Sequence, residues 1–131
     1  GSTASDAVSL EDLTIRRDII QEDEPNKRFE HVEQMPQFPG GEAELMKYIS
    51  NNIKYPPIAA ENGIEGRVVV RFVVEKNGKV SDINILRSVD PSLDKEAARV
   101  IRSMPTWIPG MQNGRNVAVY YTLPVLFKLQ R

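Results

Sequence analysis

The sequence predicts an α+β domain: a three-stranded antiparallel sheet with two helices packed on one face, preceded by a flexible acidic arm. Three observations carry this expectation. Two segments repeat apolar residues at helical spacing, three alternate apolar with polar residues and are rich in β-branched and aromatic types, and an Asn-Gly pair joins the first two of those strands as a tight hairpin. A chain of 131 residues with 40% hydrophobic content suffices for one such domain with a real core, and is short for two.

The arm is assigned to residues 1–37 and the domain to 38–131. Residues 1–38 carry nine acidic and four basic side chains, a net of −5. The remainder carries nine acidic and thirteen basic, a net of +4. Scattered apolar residues and the stretch QEDEPNKR give the arm too little to bury, so an unfolded linker is expected. The lead-in FEHVEQMPQFPGG holds Pro36 and Pro39, which forbid a helix there. In GEAELMKYISNNI, Leu45, Tyr48, Ile49 and Ile53 recur at helical spacing, with Glu42 and Glu44 in the first turn where the helix dipole favours anions. Tyr55 is held extended by Pro56, Pro57 can open a short helical turn, and Asn62-Gly63 supplies a left-handed stop.

RVVVRFVVEKNGKVSDINILRS reads as a hairpin about Asn77-Gly78. A two-residue turn pairs Lys76 with Lys79, and therefore Val74 with Ser81, Phe72 with Ile83 and Val70 with Ile85 on an apolar face. The opposite face pairs Val73 with Asp82, Arg71 with Asn84 and Arg67 with Ser88, and is half polar. In DPSLDKEAARVIRSM, Asp90 can cap and Pro91 fits the first helical position. Leu93, Ala97, Val100, Ile101 and Met104 form the stripe that covers the apolar face. TWIPGMQNG is a loop, with Trp107 expected to plug one end of the core.

The last strand, NVAVYYTLPVLFKL, puts Val117, Val119, Tyr121, Leu123, Val125, Phe127 and Leu129 on one face. It also contains Pro124, which cannot donate to a ladder and so belongs where its missing N–H faces outward. Neighbouring residues of a strand turn their backbone groups to opposite sides. With Pro124 outward, Ala118, Tyr120 and Thr122 offer three donors and three acceptors to an incoming strand, and Pro124 limits its length while guarding against aggregation. Backbone pairing nets little after the peptide is ordered, so Tyr120, Leu126 and the residues just before Tyr55 are expected to add side-chain contacts.

Other chemistries find no support. There is no cysteine, hence no disulfide, thiol nucleophile or thiolate site. The single histidine, His31, lacks partners for catalysis or metal binding. Glu42 with Glu44, and Asp90 with Asp94, sit where helix starts prefer acids. Arg67, Arg71 and Arg87 lack the interleaved aromatics of a nucleic-acid platform. No apolar run approaches the ~18–20 residues of a membrane span.

From Phe38 to Leu129 the chain resembles the C-terminal domain of the TonB family, in its Bacteroidetes branch. The resemblance rests on Tyr55-Pro56, Gly63-Ile64-Glu65-Gly66 before the first strand, Asn77-Gly78, Trp107 followed by Pro109-Gly110, the closing Pro-Val-Leu-Phe-Lys-Leu, and the lead-in FPGGEAELMKYISNNIKYP. It implies a non-enzymatic energy transducer without cofactor or metal, in the periplasm, anchored in the inner membrane by an N-terminal helix upstream of this sequence. The implied partners are the Ton box of outer-membrane TonB-dependent transporters, added as a strand to the last strand, and the ExbB–ExbD motor. On this chain the partner-binding residues become Val117, Ala118, Val119, Tyr120, Tyr121, Thr122, Pro124 and Leu126, with Asn52, Ile53 and Lys54 from the stretch before Tyr-Pro. The alternative is a cell-envelope adaptor that homodimerises through the same edge, or the end of a membrane peptidase or sensor.

Overall fold

The computed structural model describes residues 27–130; the expectation for residues 1–26 lies outside them. In chain order the elements are β1 (Arg28–Phe29), α1 (Glu42–Asn52), α2 (Pro57–Glu61), β2 (Gly66–Val74), β3 (Val80–Arg87), α3 (Pro91–Arg102), β4 (Gly110–Gln112) and β5 (Arg115–Phe127). The strands lie in the order β1-β5-β2-β3, and β4 pairs with the start of β5. The three strands expected from the sequence form the centre of this sheet. It is corrected to five strands, because β1 and β4 are two and three residues long and too short to carry a periodic pattern.

β5 runs antiparallel to β2 in unbroken register from Gly66↔Phe127 to Val74↔Val119. That register turns Val68, Val70, Phe72, Leu123, Val125 and Phe127 to one face, where they are buried with Leu45, Leu93, Ala97 and Ile101 of the helices. Trp107 closes this core as expected. It is 2% exposed and stands edge-on to Phe38, Phe72 and Tyr121, with ring centroids 5.7, 5.6 and 4.9 Å away, the arrangement favoured by the ring quadrupoles.

Local chemistry sets the helices. The Asp90 side chain accepts from the Ser92 amide at 3.0 Å, Pro91 occupies the first turn, and Arg99 and Arg102 stand in the last turn of α3, where the dipole favours cations. Pro57 opens the short α2. α1 is tied to α3 by polar contacts: the Tyr48 hydroxyl donates to the Ser103 carbonyl at 2.7 Å, and Arg99 Nη2 donates to the Asn52 carbonyl at 2.8 Å. The Arg99 guanidinium, ahead of the Lys54 amide, holds the Glu96 carboxyl below the usual carboxylate range against the opposing effect of burial.

The β2–β3 hairpin departs from its expected register. Val70↔Ile85 and Arg71↔Asn84 pair as predicted, but Val73 meets Ser81 and Val74 meets Val80, which replaces the expected pairing of Val74 with Ser81 and of Val73 with Asp82. The loop holds three residues, Lys76 to Gly78: the Glu75 amide bonds the Lys79 carbonyl at 2.9 Å, and the Gly78 amide bonds the Glu75 carbonyl at 2.8 Å. Gly78 at φ 83° closes a turn with a glycine bulge. The offset is absorbed in β3 by irregularities either side of Val70–Arg71, with Asp82 in the left-handed region at φ 47°.

Within the segment that acidic composition assigns to the arm, residues 28 to 37 make backbone contacts with the rest of the fold, Arg28 and Phe29 by pairing with β5. Gln34 exchanges two backbone bonds with Met111, at 3.1 and 2.8 Å, and Gln37 two with Ile108, at 2.9 and 2.8 Å. Glu33 accepts from the Asn113 amide at 2.7 Å. Composition measures whether a segment can build a core of its own; this one borrows partners from another part of the chain.

Candidate functional site

The backbone of β5 defines a site. In an antiparallel ladder alternate pairs exchange both hydrogen bonds, and the pairs between them exchange none. Pro124 faces Val69 and has no N–H to give, so this is a non-exchanging position. With the register unbroken, so are Thr122 opposite Arg71, Tyr120 opposite Val73 and Leu126 opposite Arg67. The backbone groups of these four residues turn away from β2.

What lies on that outer side changes along the strand. On it, Ala118 and Val119 lie against Arg28 and Phe29 of β1, in parallel register, while Val117, whose backbone turns to the other side, is paired with Gly110 of β4. These three, expected to be available, already have partners within the chain. From Tyr120 to Phe127 the only strand paired with β5, among the described residues, is β2. The stretch of β5 with a strand on one side alone, among the described residues, therefore lies C-terminal to Val119, and Pro124 falls inside it. The parallel pairing of Phe29 with Val119 takes up the Tyr120 amide, so two outward amides remain, from Thr122 and Leu126, with four outward carbonyls once Tyr120 and Pro124 are included.

The opposite edge of the sheet differs. β3 borders it, and its ladder to β2 shifts twice within eight residues. Bulges twist an edge out of the geometry that another strand can copy. Only the β5 side offers a long regular register.

Side chains frame the window on both faces. On the core face, burial and then the nearby Glu42 carboxylate raise the Tyr121 hydroxyl above its usual range. On the second face Thr122, Pro124 and Leu126 are exposed, Leu126 by 61%. Tyr120 is held from two directions. The Arg71 guanidinium lies over its ring at 4.6 Å from the centroid, and its hydroxyl engages Arg28. Arg28 reaches across this face to an ion pair with Asp82, with Glu75 at 3.8 Å; the Tyr120 and Asp82 contacts raise its guanidinium above the usual arginine range. This crossing closes one end of the second face, where Val73 and Ala118 are buried.

Asn52, Ile53 and Lys54 sit where α1 ends, and one backbone group of each is already used. The Asn52 carbonyl accepts from Arg99, the Ile53 amide donates to Ile49, and the Lys54 amide donates to Glu96 at 2.7 Å. His31 is exposed, and no group of three metal-ligating side chains occurs among the described residues. The role of Arg28 and Asp82 escaped the sequence reading, because 54 positions separate them and no local pattern links a lead-in cation to a bulged acid.

A small α+β domain that buries one sheet face under helices and leaves one regular strand edge unpaired is the class these features define. The family profile described as Gram-negative bacterial TonB protein C-terminal matches residues 51–129, and the chain belongs to that family. It is 32% identical over 77 residues to protein TonB of Pseudomonas aeruginosa, covering 59% of this chain and 22% of that protein. Against protein TonB of Helicobacter pylori it is 30% identical over 83 residues, covering 63% and 28% respectively. The chain thus spans about a quarter of the curated relatives it matches. Among solved structures, the solution structure of Helicobacter pylori TonB-CTD superposes with a TM-score of 0.53 at 26% identity, covering 68% of this chain and 94% of that one. The Pseudomonas aeruginosa TonB CTD gives 0.51 at 32% identity, with 60% and 80% covered.

Proposed function

We propose that this domain is the receptor-binding end of a TonB-type energy transducer in the periplasm. It captures the Ton box of an outer-membrane TonB-dependent transporter as an added strand on β5, and passes on force from the ExbB–ExbD motor to power substrate import. The domain has no catalytic role in this reading, and its membrane anchor belongs to an upstream segment. The observation that carries the proposal is the vacant outer side of Tyr120–Phe127, on a strand clamped along its other side by nine consecutive register positions to β2.

The mechanics suit a load. A strand added to β5 and pulled along its axis would share force over several hydrogen bonds at once, and β5 is anchored behind by a longer ladder than the window in front. Capture would be firm enough to transmit a pull and weak enough to release. Six outward backbone groups at a net ~1 kcal/mol each are largely offset by the ~1–2 kcal/mol needed to order each peptide residue. Contacts to Tyr120, Tyr121 and Leu126 supply the remainder, which places the affinity around micromolar.

Titrating the isotopically labelled domain with a Ton-box peptide tests this. Amide shifts are expected to concentrate between Tyr120 and Phe127, with smaller changes at Ala118 and Val119 where β1 adjoins. Shifts confined to β3 or the helices, or none at saturating peptide, would overturn the proposal.

A further inference from the structure

Beside the open window the second face of the sheet carries an unbalanced charge. Arg67 and Arg71 of β2 stand opposite Leu126 and Thr122, and among the described residues neither makes an ion pair; Glu75 and Asp82 of this face are both engaged by Arg28. Arg71 is the more constrained of the two. Its Nε is buried without a hydrogen-bond partner among the described residues, and its guanidinium carbon lies over the Tyr120 ring, 4.6 Å from the centroid, which restrains the side chain. A guanidinium restrained over an aromatic ring, without an ion pair among the described residues, presents its fork at low further entropic cost and suits a carboxylate.

We propose that Arg71 is a specificity-determining residue of the window, receiving a carboxylate side chain of the incoming strand on the face it shares with Tyr120 and Thr122. This rests on the strand-capture reading and adds to it the chemistry of the captured segment. The reach is sufficient: the added strand lies two strand spacings of about 4.8 Å each from β2, which an arginine and a glutamate leaning toward each other span. Thr122, short and exposed, is the only β5 side chain between them. A second copy of the domain added through the same antiparallel edge would bring its own Arg67 and Arg71 to this face and set cation beside cation. An acidic peptide therefore fits the surface better than self-association does.

The test uses two blocked peptides of alternating valine and threonine, identical except that the central threonine positions carry glutamate in one and glutamine in the other. The glutamate peptide is expected to bind about fivefold more tightly at low salt, the upper range for a partly exposed ion pair, with the ratio shrinking at high salt. In Arg71→Gln the ratio should fall to about one, and Arg71→Lys, which keeps charge without the fork, should lie between; an unchanged amide spectrum away from Tyr120 verifies that each variant is folded. Equal binding of both peptides by the unaltered domain, or the same preference in Arg71→Gln, overturns the assignment and leaves strand capture standing. If neither peptide shifts Tyr120–Phe127, strand capture itself fails, and the assignment with it.

Discussion

Gly78→Ala is expected to cost about 3–5 kcal/mol, the range of severe backbone and packing defects, and to lower the melting temperature by roughly 15–25 °C in a domain of this size. Two penalties combine. The backbone stands at φ 83°, where a side chain is disfavoured by about 1 kcal/mol. A Cβ would also lie 2.1 Å from the Trp107 carbonyl oxygen and 2.8 Å from Thr106 Cγ2. The Trp107 carbonyl cannot retreat freely, because the Trp107 amide donates to the Gly78 carbonyl at 2.8 Å and its ring is locked among Phe38, Phe72 and Tyr121. The control is Gly114→Ala at φ 74°, where a Cβ would meet nothing within 4 Å; there only the conformational cost of about 1 kcal/mol is expected. Thermal denaturation of both variants distinguishes the terms. Equal losses at the two positions would mean that the contact between the hairpin loop and Trp107 contributes nothing.

Thr122→Pro is expected to abolish strand capture while leaving the domain folded. Thr122 occupies a non-exchanging position opposite Arg71, so its amide is not needed by β2, and Pro124 shows that the strand accepts a proline two residues on. The substitution replaces one of the two outward donors with a ring that stands in the path of the incoming chain. Peptide affinity should fall by more than tenfold, since a donor is lost and its neighbours are obstructed. Tyr121→Pro is the contrasting variant: it removes an amide that β2 requires opposite Phe72 and should unfold the sheet. Undiminished peptide binding by folded Thr122→Pro would place the docking surface elsewhere.

Most of the central fold is legible in the sequence because its signals are local. The Asp90-Pro91 start of α3, the apolar stripe it presents, the alternation in β2 and β5, and the outward proline each lie within a few residues of the feature they specify. The hairpin register was legible only at its middle. Asn77-Gly78 announces a turn, but whether two or three residues span it depends on Gly78 packing against Trp107, a contact 29 positions away. The lead-in strand was not legible at all. Arg28 and Phe29 have no pattern of their own, and their pairing with Ala118 and Val119 and the bridge to Asp82 exist only after the sheet has assembled. This non-local pairing bounds the open window: the edge position of β5 followed from Pro124, whereas its extent depended on which distant segment covers part of it.

Residue-resolved hydrogen exchange of the free domain tests the vacancy of β5 most directly, since an amide bonded to a neighbouring strand is protected and one facing solvent is not. Tyr121, Leu123 and Val125, turned to β2, and Tyr120, whose amide faces β1, are expected to exchange slowly, and Thr122 and Leu126 faster by orders of magnitude, giving an alternation of period two from Tyr121 onward. Uniform protection from Tyr121 to Leu126 would show that both sides of β5 are occupied in the free protein, and would contradict the existence of an open edge.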